Sequence, residues 1–222
     1  TDNKNLVFKR NNIPAGVLGS SNAAFGVLSL ASNTSGYDNA SIGLNSLRFN
    51  TEGHSNTALG KDALLSNGVG NFNTATGVGS MSGNTSGSSN TANGSFSLAA
   101  NNIGTNNTAV GSFSLNNNNI GNDNTAIGYN SLTQNTEGAK NTASGVFSLF
   151  DNTTGNNNTA SGYESLSYNT TGSNNTATGS GSLRVNTASN NTATGANSLT
   201  ANTTGKIIRH LVTIPLVLTE QG

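Results

Sequence analysis

Asn124-Thr125-Ala126-Ile127-Gly128-Tyr129-Asn130-Ser131-Leu132 is one copy of a pattern that recurs along most of the 222-residue chain. The position held here by Thr125 is occupied in turn by Ala23, Ala40, Thr57, Thr74, Thr91, Thr108, Thr125, Thr142, Thr159, Thr176 and Thr192. Each step is 17 residues except the last, where 192 − 176 = 16. Numbering offsets from this position, offset 1 is Ala in ten units and Ser41 in the other, and offset 3 is always glycine, from Gly26 to Gly195. Offset 7 reads Leu30, Leu47, Leu64, Met81, Leu98, Leu115, Leu132, Leu149, Leu166, Leu183 and Leu199. Offset 10 is always Asn, and a second glycine stands at offset 13 from Gly36 to Gly172 and again at Gly205. The unit that begins at Thr176 reads Thr187-Ala188-Ser189 at that place and is the short one, so its deletion falls in a loop, where it is best tolerated.

A 17-residue unit is too short for the helix pairs of α-solenoids, whose repeats run to roughly 33–47 residues. Two glycines and an Asn-rich segment in every unit also oppose helix. The expected fold class is all-β: a parallel β-solenoid, or β-roll, of about eleven 17-residue coils. Each coil is expected to hold two short strands, one around Asn-Thr-Ala-x-Gly and one around x-Ser-Leu-x. Asn-Thr-x-Gly would make the return turn, its glycine free to take positive φ. The core would be a Leu ladder facing an Ala ladder. The Asn residues at offset 10 fit either an inward ladder with amides bonded coil to coil or a simple turn preference.

Offset 2 drifts through Phe25, Ile42, Leu59, Thr76, Asn93, Val110, Ile127, Ser144, Ser161, Thr178 and Thr194, which points to an exposed or subunit-facing position. With only 32% hydrophobic residues, each coil has little apolar filling. Oligomerisation is then the natural way to bury more surface. Apolar residues at offsets 4 and 5, among them Phe96, Phe113, Tyr129, Val146, Phe147 and Tyr163, suit such a contact, and the expected assembly is a homotrimer.

The segment 124–132 resembles the head repeat of trimeric autotransporter adhesins, the YadA-like β-roll, and is similar to repeats in the shafts of phage tail-fibre proteins. The resemblance covers about residues 20–205. It implies a trimer of parallel β-rolls that presents a surface to cells or matrix. The partners it implies are the chain's own copies and a host-cell glycan or protein, in an extracellular, cell-surface or virion-associated setting.

Composition narrows the alternatives. Nine basic and nine acidic residues leave a net charge of zero, so nucleic acid is not an expected partner. No apolar run reaches the length of a membrane span, so membrane insertion is not expected either. With no cysteine and two scattered histidines, His54 and His210, no nucleophile or metal cluster is apparent. We expect no enzyme activity, no cofactor, and no catalytic or metal site. Gly77-Val78-Gly79 consists of repeat glycines rather than a phosphate loop, which needs a strand–loop–helix context. The Asn-x-Ser/Thr triplets at Asn84 and Asn152 follow from composition.

The expected activity is that of a structural or adhesive fibre module, with Asn, Ser, Thr and tyrosines such as Tyr129, Tyr163 and Tyr168 available for glycans. An alternative is ice binding by the Thr-x-Thr pairs Thr74/Thr76, Thr176/Thr178 and Thr192/Thr194, which share one strand face. A third is self-assembly into filaments through the coil ends.

Two segments fall outside the period. Residues 1–19, with Leu6–Arg10, Asn11-Asn12 and Ile13–Leu18, read as a β-hairpin cap or adapter. Residues 206–222 leave the pattern at once. Read one base earlier, their codons spell Lys-Asn-Asn-Thr-Ala-Ser-Gly-His-Asp-Ser-Leu-Gly-Ala-Asn-Arg-Thr-Gly with permitted codon choices. That is a twelfth repeat with threonine at position 209, where 209 − 192 = 17. The tail is read either as a C-terminal cap or apolar interface strand, or as the product of a one-base frameshift.

Overall fold

A computed structural model describes residues 6–10, 13–18, 21–202 and 209–211. Expectations that concern residues 1–5, 11–12, 19–20, 203–208 and 212–222 lie outside the described residues. The chain is an all-β parallel β-solenoid of about eleven coils. After β1 (Leu6–Arg10) and β2 (Ile13–Leu18), each coil contributes one three-residue strand: β3 (Ala23–Phe25), β4 (Ala40–Ile42), β5 (Thr57–Leu59), β6 (Thr74–Thr76), β7 (Thr91–Asn93) and β8 (Thr108–Val110). The series continues with β9 (Thr125–Ile127), β10 (Thr142–Ser144), β11 (Thr159–Ser161), β12 (Thr176–Thr178) and β14 (Thr192–Thr194). These strands pair in parallel with equivalent offsets side by side, as in Thr125↔Thr142 and Ala126↔Ala143. The deletion does not disturb the register, since Thr176 still pairs with Thr192. β2 lies antiparallel on β3 and β1 antiparallel on β2, so a hairpin rather than the first coil forms that edge of the sheet.

Three-residue strands suffice because the rest of the coil is also bonded to its neighbours. Backbone N–H groups at offsets 3, 5 and 7 donate to adjacent coils, as in Gly128 to Val110 O (2.8 Å), Asn130 to Ser112 O (3.1 Å) and Leu132 to Ser148 O (2.9 Å). At offset 12, Ile120 N–H donates to Thr136 O at 3.1 Å. Backbone satisfaction thus replaces a bulky core as the organising demand.

The interior holds the expected ladders. Ala at offset 1 and the Leu/Met file from Leu47 to Leu183 are fully buried, with Leu30 and Leu199 partly buried at the two ends. Offset 10 is resolved in favour of the inward ladder: Asn118 Nδ2 donates to Asn101 Oδ1 at 2.8 Å and to Gly121 O at 2.9 Å. A second buried Asn file stands just before the strand, at offset −1, and the sequence reading did not assign it a place inside. There Asn124 N–H donates to Asn107 Oδ1 at 3.0 Å, and Asn124 Nδ2 donates to Gly138 O at 2.8 Å. Both files meet at the offset-13 carbonyl of their own coil, so Gly121 O receives Asn107 Nδ2 as well as Asn118 Nδ2.

Two local expectations are corrected. The x-Ser-Leu-x segment is a turn rather than a second strand in the regular coils, because offset 7 is left-handed throughout, for example Leu115 at φ 50° and Leu132 at φ 52°. A left-handed leucine costs about 1–2 kcal/mol. Burying its side chain returns roughly 1.5–3 kcal/mol, so the turn is tolerated because it aims the leucine inward. Among the described residues a second strand pair appears only around the shortened unit, between β13 (Val185–Asn186) and β15 (Ala201–Asn202). The offset-13 glycines from Gly36 to Gly172, in turn, do not adopt positive φ. They are required by space: a Cβ on Gly121 would lie 2.4 Å from both Asn118 Oδ1 and Gly138 O.

In the shortened unit, Ala188 supplies the carbonyl that this glycine supplies elsewhere. It accepts from Asn186 Nδ2 at 2.6 Å and from Asn175 Nδ2 at 3.0 Å. The missing residue is therefore one of the two that normally separate the offset-10 Asn from this carbonyl. The interior hydrogen bonds survive the deletion.

Candidate functional site: the outward faces of the solenoid

Strand alternation sends offset 1 inward and offsets 0 and 2 outward. From Thr57 to Thr192, nine successive coils carry threonine at offset 0, in one file on the parallel sheet. The pairs singled out in the sequence all lie on this face. Thr74, Thr176, Thr178 and Thr192 are exposed, while Thr76 and Thr194 are half-buried. Along the neighbouring file at offset 2, hydroxyl side chains fill the last four coils: Ser144, Ser161, Thr178 and Thr194. The earlier coils interrupt them with Ile42 (50% exposed), Leu59 (46%) and Ile127 (45%).

Beyond the corner made by the offset-3 glycine runs an aromatic column. Phe96 and Phe113 stack with centroids 5.6 Å apart, and Tyr129 meets Phe113 edge-on at 6.4 Å and Phe147 at 5.7 Å. Phe147 continues the column to Phe150 at 5.5 Å. One of these four contacts is stacked and three are edge-to-face, the arrangements aromatic pairs prefer, so the rings form a continuous apolar column. On the return side, His54 is stacked on Tyr37 at 4.7 Å and meets Phe72 edge-on at 5.0 Å. His54 is thus held in an aromatic group, with its Nδ1 3.3 Å from the Oγ of the adjacent Ser55.

Among the described residues the ionisable side chains pair locally. Glu164 pairs with Arg184 at 2.7 Å, and Arg184 lies over the Tyr168 ring at 5.5 Å. A hydrogen bond to Glu164, and then that residue's charge, raises the Tyr163 phenol above its ordinary range, while burial raises the Asp151 carboxyl. Among the described residues no group of three or more His, Cys, Asp or Glu side chains is placed to hold a metal ion. The Asn-x-Ser/Thr triplets at Asn84 and Asn152 have their asparagines fully buried in the offset-10 ladder, where a glycan has no access.

No protein-family model, no curated protein and no solved structure matches this chain. The faces themselves therefore carry the functional argument. The Thr file and the apolar offset-2 positions were legible in the sequence. The aromatic column was legible only as scattered apolar residues, because its continuity passes from offset 5 to offset 4 and back.

Proposed function

We propose that this protein is a non-catalytic structural or adhesive fibre module that works as a homotrimer in an extracellular, cell-surface or virion-associated setting and presents its outward faces to a host-cell glycan or protein. One observation carries the reading: most interior polar groups are engaged in hydrogen bonds within and between coils, and the outward positions recur at fixed offsets in every coil. Such a surface meets partners along its length, whereas catalysis needs convergent groups at one place. Light scattering of the purified chain tests the assembly, with an expected mass of three times 22.3 kDa. A 22.3 kDa particle at micromolar concentration removes the trimer.

The nine-coil threonine file favours ice binding as a second reading, because parallel register makes it a regular hydroxyl–methyl array. Thermal hysteresis that is present in the native chain and lost in Thr178→Tyr would put this reading first. No hysteresis in the native chain removes it.

A further inference from the structure

Each of the first nine coils exposes at least one large apolar side chain at offset 2, 4 or 5, and the last two expose none there. The position shifts from coil to coil in a compensating way. Where offset 2 is Thr76 or Asn93, the same coil exposes Val78 or Phe96 around the corner. Where it is Ser144 or Ser161, Val146 or Tyr163 takes over. In the last two coils both places are small or polar, with Thr178 followed by Ser180 and Thr194 by Ala196.

Backbone strain marks the same stripe. Offset 5 is left-handed in every coil, and Asn, Asp or Gly, which tolerate that conformation, fill it in six. Phe96 (φ 53°) and Phe113 (φ 57°) adopt it while 41% and 38% exposed, so part of each ring remains open to a further contact.

We propose that this stripe, from the first coil to the ninth, is where copies of the chain pack side by side, and that the hydroxyl-rich strand face of the last two coils stays outside the contact. The proposal rests on the oligomeric reading above and locates its interface. The occupant follows from the period. Apolar side chains repeat once per coil, about 4.8 Å apart, whereas an extended peptide laid along the stripe presents same-face side chains about 6.6–6.8 Å apart and falls out of step. A second solenoid keeps the step along the whole length. The size also fits. Twelve side chains 37–52% exposed leave roughly 800 Å² open, about one partner's share of a stable interface and more than the patch a monomer ordinarily shows. Charge interrupts the stripe at Lys61 and Asp62, paired with each other at 3.6 Å, and at Glu164, which is paired with Arg184.

Particle mass is to be measured for Val110→Asp/Ile127→Asp and for Thr178→Asp/Thr194→Asp. The first is expected to drop to the mass of one chain and the second to keep the native mass. Because the chain has no cysteine, Ile127→Cys and Thr178→Cys supply a readout in the assembled state. Modification by a bulky maleimide is expected to be at least tenfold slower at position 127 than at 178. An oligomer that survives the first pair of substitutions, or that shields position 178 equally, overturns this interface and leaves the oligomeric reading standing. A native chain of single-chain mass removes both.

A second inference rests on different observations. β16 (Arg209–Leu211) pairs in parallel with β14 as Thr192↔Arg209, Ala193↔His210 and Thr194↔Leu211, which is the twelfth rung at a full 17-residue step. The residues do not suit that rung: offset 1 is Ala or Ser in every other coil, and here it is His210. Offset 3, held elsewhere by glycines with φ between 118° and 143°, falls on Val212. We infer that the rung belongs to a twelfth coil encoded one base earlier, where the same four positions read Thr, Ala, Ser and Gly. The coding sequence decides it, because the repeat can be spelled only if Ile208 is ATA, Arg209 is CGG (Ala at offset 1) or CGT (Ser, as at Ser41) and Leu211 ends in G. Those codons are the expected result, and any other codon at Ile208 or Arg209 overturns the inference.

Discussion

Gly128→Ala is expected to destabilise the solenoid by about 4 kcal/mol or more, the combined cost of backbone strain and overpacking. Gly128 has φ 131°, a region in which L-residues are strained. A Cβ there would lie 2.6 Å from Gly145 O, 2.7 Å from its carbonyl carbon and 3.1 Å from Val146 N, all backbone atoms of the next coil. Relief requires the coils to separate, which breaks the bond from Gly145 N–H to Ile127 O at 2.8 Å. Gly68→Ala is the control, since its nearest neighbour would be 3.4 Å away and its φ is not left-handed. It should be neutral, or stabilising by about 0.4–1 kcal/mol through the unfolded chain. Urea unfolding gives the difference. Hydrogen exchange should place the Gly128→Ala damage at the seventh and eighth coils, because stability in a solenoid is carried by neighbouring pairs. Equal stability of the two variants would mean that the coils do not approach through the offset-3 glycines.

Asn118→Asp is expected to cost about 3–5 kcal/mol at neutral pH, the range for an uncompensated buried charge. The amide of Asn118 donates to Asn101 Oδ1 and Gly121 O while its own oxygen accepts from Asn135 Nδ2 at 2.8 Å. A carboxylate keeps the acceptor and loses both donors, setting negative charge against two oxygens in a fully buried position. Folding then favours the protonated acid, so the folded pKa rises above the unfolded value of about 3.9. The deficit should be smallest below that unfolded value and should reach its full size as pH rises through the raised folded pKa. Asn117→Asp in the neighbouring half-buried position is the comparison and should be much milder. Stability curves against pH that run parallel for Asn118→Asp and the native chain would contradict an inward ladder.

How much of this was legible follows from what each residue type signals. The period announced the solenoid, and the constant Ala and Leu files announced its core, because burial allows few substitutes. The drift of offset 2 announced an outward position for the opposite reason. The Ser-Leu segment was misread because leucine has no left-handed preference. Only the inter-coil bonding, absent from any single repeat, makes φ near 50° acceptable at Leu132. Glycine at offset 13 looked like a turn residue because glycine serves conformation and space equally well, and only the position of Asn118 Oδ1 tells the two apart. The Asn before each Thr-Ala was constant in the sequence. Its place inside became visible only when Asn124 Nδ2 was found to reach across the coil to Gly138 O.

The stacking of 17-residue coils is tested most directly by electron–electron distances between spin labels on paired cysteines, in a chain that has none of its own. With Thr57→Cys as reference, partners at Thr91→Cys, Thr125→Cys and Thr159→Cys lie two, four and six coils away, and labelled chains are diluted in excess unlabelled protein to suppress distances between copies. The predicted separations rise in equal steps to about 10, 19 and 29 Å, following a spacing of about 4.8 Å per coil. Distances that do not increase in proportion to the number of 17-residue units would contradict the fold.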